Sequence, residues 1–287
     1  MSISPRSISA LLAATSLATA FMIAASPVSA SPILGTASGF AVLASSAVTN
    51  TGSTVITGDV GISGGTSITG FFPPGIVSGG TIHLNDGLAI AANSDFLAAY
   101  VLLGGSVITQ NLTGLGDLGV GPLGSLSAGV YKFDSTAQLN GALTLDGGGD
   151  SNAKFIFLIG SSLTTASASS VLLTNGALFE NVFWWTDAAA TLGSGTAFAG
   201  SILAGTSISL NDGATIVCGR ALAKAAVTMI SNQISTDCQQ APPGVDPVPE
   251  PASLLLFAFG ILAVIGFALR RRRARNWLNW ANQPGSR

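Results

Sequence analysis

Short apolar runs separated by glycine, asparagine, aspartate and serine recur in one order after Gln138, and this recurrence constrains the fold more than any other feature. Residues 138–145 lead to 154–160, and 162–165 with 170–173 lead to 181–185. Residues 191–198 lead to 200–204, and 207–210 with 215–217 lead to 219–223. Each unit reads as three short strands, with a spacing of roughly 17 to 28 residues between units. Repeats of that size with alternating apolar positions indicate a β-solenoid, in which each coil buries its apolar face only against its neighbours. A β-sandwich is the alternative, since it also uses many short strands. The fixed three-strand order, together with the glycine, alanine and serine that tight corners need, favours the solenoid.

One segment departs from this pattern. Asn85 or Asp86 is placed to cap a helix running to about Leu103, with Leu88, Ala91, Ala92, Asp95, Phe96, Ala99 and Leu103 at three-to-four spacing and Gly104-Gly105 to stop it. The third strand of each repeat (155–159, 182–185, 202–204, 221–223) is apolar at consecutive positions, as expected of a sheet covered on both sides. The helix is therefore expected to lie along that face. Trp184 and Trp185 are expected to pack one inward and one against the helix, and His83 to cap or pack beside the helix start.

The two ends carry a different chemistry. The chain is 48% hydrophobic and only 8% charged, and much of its apolar character is terminal. Arg6, an apolar run over 8–25 and the small residues Val28-Ser29-Ala30 make a secretory signal segment over 1–30, with the mature chain starting at Ser31. At the other end an apolar run over 254–269 is closed by Arg270, Arg271, Arg272, Arg273 and Arg275. That run suits one bilayer crossing, and the arginine cluster places the C-terminus in the cytoplasm and the body outside. A proline-rich linker over 241–252 precedes it and contains Pro249-Glu250-Pro251. Pro-Glu-Pro, an apolar span and an arginine cluster in this order resemble the PEP-CTERM sorting signal of Gram-negative bacteria, which is linked to a membrane protease, the exosortase. That resemblance implies a protein anchored transiently in the inner membrane over 253–287 and then passed to the cell surface or beyond.

Between the ends lies a body over 31–240. It holds four basic residues (Lys132, Lys154, Arg220, Lys224) and eleven acidic ones, so its net charge is 4 − 11 = −7. Nucleic acid is excluded as a partner, because no basic patch exists to neutralise phosphates. Cys218 and Cys238 are the only cysteines, and in an oxidising compartment they are expected to pair. Closing such a loop of about 20 residues contributes roughly 3 kcal/mol.

The body also resembles a known family. Phe40-Ala41-Val42-Leu43-Ala44, Thr49-Asn50-Thr51-Gly52, Thr57-Gly58-Asp59-Val60-Gly61, Gly129-Val130-Tyr131, Asn181-Val182-Phe183-Trp184 and Gly219-Arg220-Ala221-Leu222-Ala223 are similar to stretches of the ice-binding-like proteins of microbes. The resemblance implies an irregular right-handed β-helix beside one long α-helix, and a non-enzymatic protein that binds ice and inhibits its recrystallisation. It also implies a site motif of Thr, then Ala or Gly, then any residue, then Thr or Asn. Thr51-Gly52-Ser53-Thr54 fits it fully. Partial fits are Asn140-Gly141-Ala142-Leu143, Thr165-Ala166-Ser167-Ala168, Ser194-Gly195-Thr196-Ala197 and Asp212-Gly213-Ala214-Thr215. The candidate ice-contacting residues are therefore Thr51, Ser53, Thr54, Asn140, Thr165, Ser167, Ser194, Thr196 and Thr215, expected to align as a column at one corner and face.

Nothing in the residues suggests catalysis, a metal or a cofactor. Polysaccharide-cleaving β-helices need clustered carboxylates, whereas the acidic residues here are scattered. Asp146-Gly147-Gly148-Gly149-Asp150 reads as a glycine-rich turn between strands, and the single His83 has no triad companions. The rival reading is a structural or adhesive surface protein that associates with exopolysaccharide.

Overall fold

A computed structural model describes residues 33–238. The expected signal segment (1–30), the linker with Pro249, Glu250 and Pro251 (241–252) and the apolar segment with its basic tail (253–287) lie outside the described residues. Within them the chain is mostly β, with one α-helix. Every strand pairing is parallel. Parallel pairs cannot be joined by hairpins, so the antiparallel sandwich is excluded.

The pairings form three ladders. The first runs Gln110–Asn111, Gly129–Phe133, Phe155–Ile159, Val182–Thr186, then the C-terminal halves of Ala197–Ala204 and Thr215–Ala223, then Phe40–Ala44, Asp59–Ile62 and Ile82–Leu84. The second joins Ser125–Ser127, Ala142–Asp146, Ser170–Thr174, the N-terminal halves of the same two long strands, Gln233–Ser235, Val55–Thr57 and Ile76–Ser78. The third, a sheet of its own, joins Ala137–Leu139, Leu163–Thr165, Ala190–Leu192, Ile208–Leu210, Ala226–Ile230, Ala47–Thr51 and Ser67–Thr69. Apolar side chains from all three ladders meet in one buried cluster.

Stacking order departs from chain order. In all three ladders the N-terminal strands lie beyond the C-terminal ones, as where Val42 pairs with Ala221 and Thr49 with Thr228. The helix α1 (Gly87–Gly104) follows the strand Ile82–Leu84 at one end of the stack and leads back to Gln110–Asn111 at the other. Asp86 caps it, accepting the Ala89 amide at 2.9 Å, and also shares a 2.7 Å hydrogen bond with His83 Nδ1. Together these interactions hold the Asp86 carboxyl below its ordinary range, the Ala89 amide contributing most.

Covering explains the runs of apolar residues. Ala92, Phe96, Ala99, Tyr100 and Leu103 of α1 pack on Ile156, Leu158, Phe183, Leu203 and Leu222, the outward side chains of the first ladder. The alternate residues point inward, where Phe157 stacks on Trp184 with ring centroids 3.9 Å apart. Trp184 Nε1 donates to the Ala199 carbonyl and Trp185 Nε1 to that of Tyr100, each at 3.0 Å, so the two tryptophans face the interior and the helix respectively. Each satisfies its one polar atom where it is buried.

Two glycines let the long strands turn from the second ladder into the first. Gly200 has φ +90° and a Cβ there would stand 2.6 Å from Val182, while a Cβ on Gly219 would meet the Gly200 carbonyl oxygen at 2.0 Å. Only a residue without a side chain fits so close an approach. At the same corner Cys218 and Cys238 form a disulfide. Beside it the buried Arg220 donates from Nε to the Ser38 carbonyl at 2.8 Å, and burial lowers its pKa to about 10 while Glu180 opposes that shift.

Candidate functional site

Four strands of the third ladder carry a triplet in which two buried apolar residues flank a polar one. Ala137 and Leu139, Ala190 and Leu192, Ile208 and Leu210, and Val227 and Met229 are buried, which forces the residue between each pair outward. The residues between are in register: Gln138 pairs with Thr164, Thr164 with Thr191, Thr191 with Ser209, Ser209 with Thr228, Thr228 with Thr49 and Thr49 with Thr69. Thr191 and Ser209 are half-buried and the other five are exposed. Seven residues at six steps of about 4.8 Å make a straight row of roughly 29 Å.

The flanking row is equally small. Ser67, Ala47 and Ala226 pair directly, and the same level continues through Ser207, Ala189, Ser162 and Thr136. It lies two residues away along each strand, about 6.7 Å. No charged or aromatic residue occurs in the strands of this ladder. Threonine is stiff at χ1, so hydroxyl and methyl are held at fixed positions rather than averaged over rotamers. Within the row Thr228 Oγ1 donates to Ser209 Oγ at 3.1 Å. Such a surface can hold a regular layer of water and offers no group suited to acid–base or nucleophilic chemistry.

The other two faces are less regular. The helix covers the first ladder. On the second, the row Ala142, Ser170, Ala197, Thr215, Gln233, Val55 and Ile76 mixes small, amide and branched apolar side chains, and the turn Phe179–Asn181 packs across its middle strands.

The residues proposed from the motif divide differently from expectation. All lie in or beside the corner between the third and second ladders, but Thr54, Thr165 and Thr196 are at most 3% exposed, which removes them as surface contacts. Their hydroxyls serve the corner instead. Thr165 Oγ1 and Thr196 Oγ1 share a 2.7 Å hydrogen bond, Thr165 Oγ1 accepts the Gly193 amide, and Thr54 Oγ1 accepts that of Asn232. A polar side chain turned inward at a corner offsets the burial of backbone groups that no ladder partner reaches. The expected single column is corrected as well: Thr165 pairs with Leu139, whereas Thr51 pairs with Ile230 and Thr215 with Ala197. Thr51, Ser53, Ser167 and Ser194 are exposed, Asn140 is exposed and donates to Asp117, and Thr215 is half-buried. Of these, Thr51 continues the third-ladder surface by ending the strand that carries Thr49.

Thr49, Thr69, Thr164, Thr191, Ser209 and Thr228 were missed by the motif. For Thr191, Ser209 and Thr228 the signal was an apolar–hydroxyl–apolar triplet, which a search centred on turns passes over, whereas Thr49, Thr69 and Thr164 are followed by Asn50, Gly70 and Thr165 and carry no such triplet. The remaining chemistry is local. Asp146 accepts the Gly148 amide and the Asn175 side chain, as a turn requires. The described residues hold one group with metal-like spacing, Glu180 with Cys218 and Cys238, and its two sulfurs are bonded to each other.

The family model described as ice-binding-like matches residues 42–235. The chain belongs to the ice-binding-like family. A second match, to the PEP-CTERM protein-sorting motif, covers 247–273. An ice-binding protein of Nostoc sp. (strain HG1) is 50% identical over 247 residues, 85% of this chain and 89% of that one. Ice-binding protein 1 of Shewanella frigidimarina is 32% identical over 72% of this chain, which spans only 25% of that longer protein. Among solved structures, the ice-binding protein of the Antarctic ascomycete Antarctomyces psychrotrophicus is 43% identical, with a TM-score of 0.67 over 71% of this chain and 97% of that one. An ice-binding protein with antifreeze activity from an Arctic yeast matches at a TM-score of 0.66 and 28% identity, over 74% of this chain and 97% of that one. Membership in the ice-binding-like family thus coincides with the three ladders, and the sorting motif with the segment that follows them.

Proposed function

We propose that this chain is an exported, non-enzymatic ice-binding protein that contacts ice through the outward rows of its third ladder. The observation that carries this reading is the in-register row Gln138, Thr164, Thr191, Ser209, Thr228, Thr49 and Thr69. Its repeat comes from the backbone, so lattice-like order in the adjacent water requires no rearrangement of the protein. Low charge also suits this role, since strongly hydrated ions disorder a water layer.

The three ladders are read as faces of one irregular right-handed β-helix over 31–240. Support comes from the shared interior cluster and from the right-handedness of about 98% of parallel crossover connections. In the same reading 1–30 is a signal segment, and an exosortase cuts near Pro249-Glu250-Pro251 after 253–287 has held the chain in the inner membrane. The ice reading is tested by recrystallisation inhibition. The purified chain is expected to keep ice grains small, whereas grain growth equal to buffer would refute the reading. Retention on exopolysaccharide without ice activity would favour the matrix role.

A further inference from the structure

Among the described residues, the outer side of α1 is apolar and uncovered. Leu88, Ile90, Leu97, Val101 and Leu102 are all exposed, Val101 at 74% and Leu102 at 63%, and Val107 just beyond the helix is 88% exposed. The helix's one charged residue, Asp95, does not interrupt this surface, because it turns toward the fold and accepts the Thr36 amide at 2.7 Å. Eighteen residues give a stripe about 27 Å long. Apolar surface of that extent marks a contact with protein or lipid.

We infer that this helix face rests on an uncharged lipid surface while the chain is still held by its C-terminal segment. The inference depends on reading that segment as a membrane anchor. Three observations favour lipid over a second copy. First, among the exposed residues of the helix only Ser94 carries a polar side chain, so the surface holds little that a protein partner would read with specificity. Second, the chain leaves the described fold near the helix. Cys238 is tied to Cys218, and two residues on, Arg220 bonds Ser38 in the turn Gly35–Gly39, which packs on the helix. Third, the distance is short. From Cys238 to the apolar run at Leu254 there are 254 − 238 = 16 residue steps, a reach of at most about 58 Å. A tether of that length keeps the helix at high effective concentration near the bilayer, so weak contact suffices. Uncharged lipid is specified because the body's net charge of 4 − 11 = −7 opposes an anionic surface. The threonine rows of the third ladder belong to a sheet that the helix does not cover.

The test uses the full chain reconstituted into phosphatidylcholine vesicles, with an environment-sensitive fluorophore on V101C or, as control, on T228C. Both positions are exposed, so neither label disturbs the core. Brominated lipid is expected to quench the label at 101 several-fold more than that at 228, and admixture of phosphatidylglycerol to reduce the difference. Equal, weak quenching in chains that float with the vesicles would overturn the inference while leaving the anchor reading intact. A blue-shifted label at 101 that bromine does not quench and that dilution reverses would assign the face to a second copy, also overturning it. Failure to float would overturn the anchor reading and the inference with it.

Discussion

Thr228→Tyr probes the third-ladder row at one point without touching the core. Thr228 is exposed, pairs with Ser209 and Thr49, and makes one hydroxyl contact within the row, to Ser209 Oγ at 3.1 Å. The stability change is therefore expected to stay within about 0.5 kcal/mol, as for other surface substitutions. The geometric change is much larger. A tyrosine ring stands above its neighbours and divides seven residues into a run of four, Gln138 to Ser209, and a run of two, Thr49 and Thr69. The longest uninterrupted stretch falls from six steps to three, from about 29 Å to about 14 Å. If ice affinity scales with that length, even a loss of about 1.4 kcal/mol raises the protein concentration needed for recrystallisation inhibition about tenfold. The assay is grain growth in annealed ice films across a dilution series, with circular dichroism melting as the folding control. Ser194→Tyr, in the corner turn away from the row, is expected to have the smaller effect. Unchanged inhibition by a folded Thr228→Tyr protein would refute the assignment of this row.

Other perturbations separate fold from function. Trp184→Ala removes an interior ring stacked on Phe157 and bonded to Ala199, and is expected to cost about 3 to 5 kcal/mol in denaturant unfolding. Thr196→Val deletes the buried hydroxyl that meets Thr165 Oγ1 and the Ala166 carbonyl, at a cost of about 1 to 3 kcal/mol, while inhibition per folded molecule stays at the wild-type level. Reducing the Cys218–Cys238 bridge, which closes a separation of 20 residues, is expected to lower stability by roughly 3 kcal/mol. Acid should act through Asp86 and Asp146, whose carboxyls are held below the ordinary 3.8 chiefly by the Ala89 and Gly148 amides. Because the folded state favours their ionised form, that stabilisation is present above the unfolded value and is lost as pH falls through the lower folded values. Thermal midpoints should therefore decline below about pH 4 rather than near neutrality.

The helix bounds were legible, since Asp86 and Gly104-Gly105 carry local start and stop chemistry. Its inner stripe was legible only in part: Ala92, Phe96, Ala99 and Leu103 are buried as expected, whereas Leu88 and Ala91 are exposed and Ala89 and Tyr100 take their place against the fold. The covered strand set was legible too, because Phe155–Ile159 and Val182–Thr186 show apolar residues on both faces, which an uncovered sheet would not tolerate. The stacking of Phe40–Ala44 beside Thr215–Ala223 was not legible, because a residue pairing over so long a separation leaves no periodic trace in either segment. The site failed for a different reason. Hydroxyl residues serve both a surface row and the buried corner, and Thr164 and Thr165 are chemically identical neighbours of which one is exposed and the other buried. Only the register of the ladder, which fixes which alternate residue points out, tells them apart.

The central claim is that this chain adheres to ice, and partitioning measures that without any substitution. A polycrystalline ice hemisphere grown slowly from a solution of the fluorescently labelled protein is expected to incorporate it at a concentration above that of the surrounding liquid. Exclusion into the liquid, to the same extent as an unrelated protein of similar size and charge, would contradict the account.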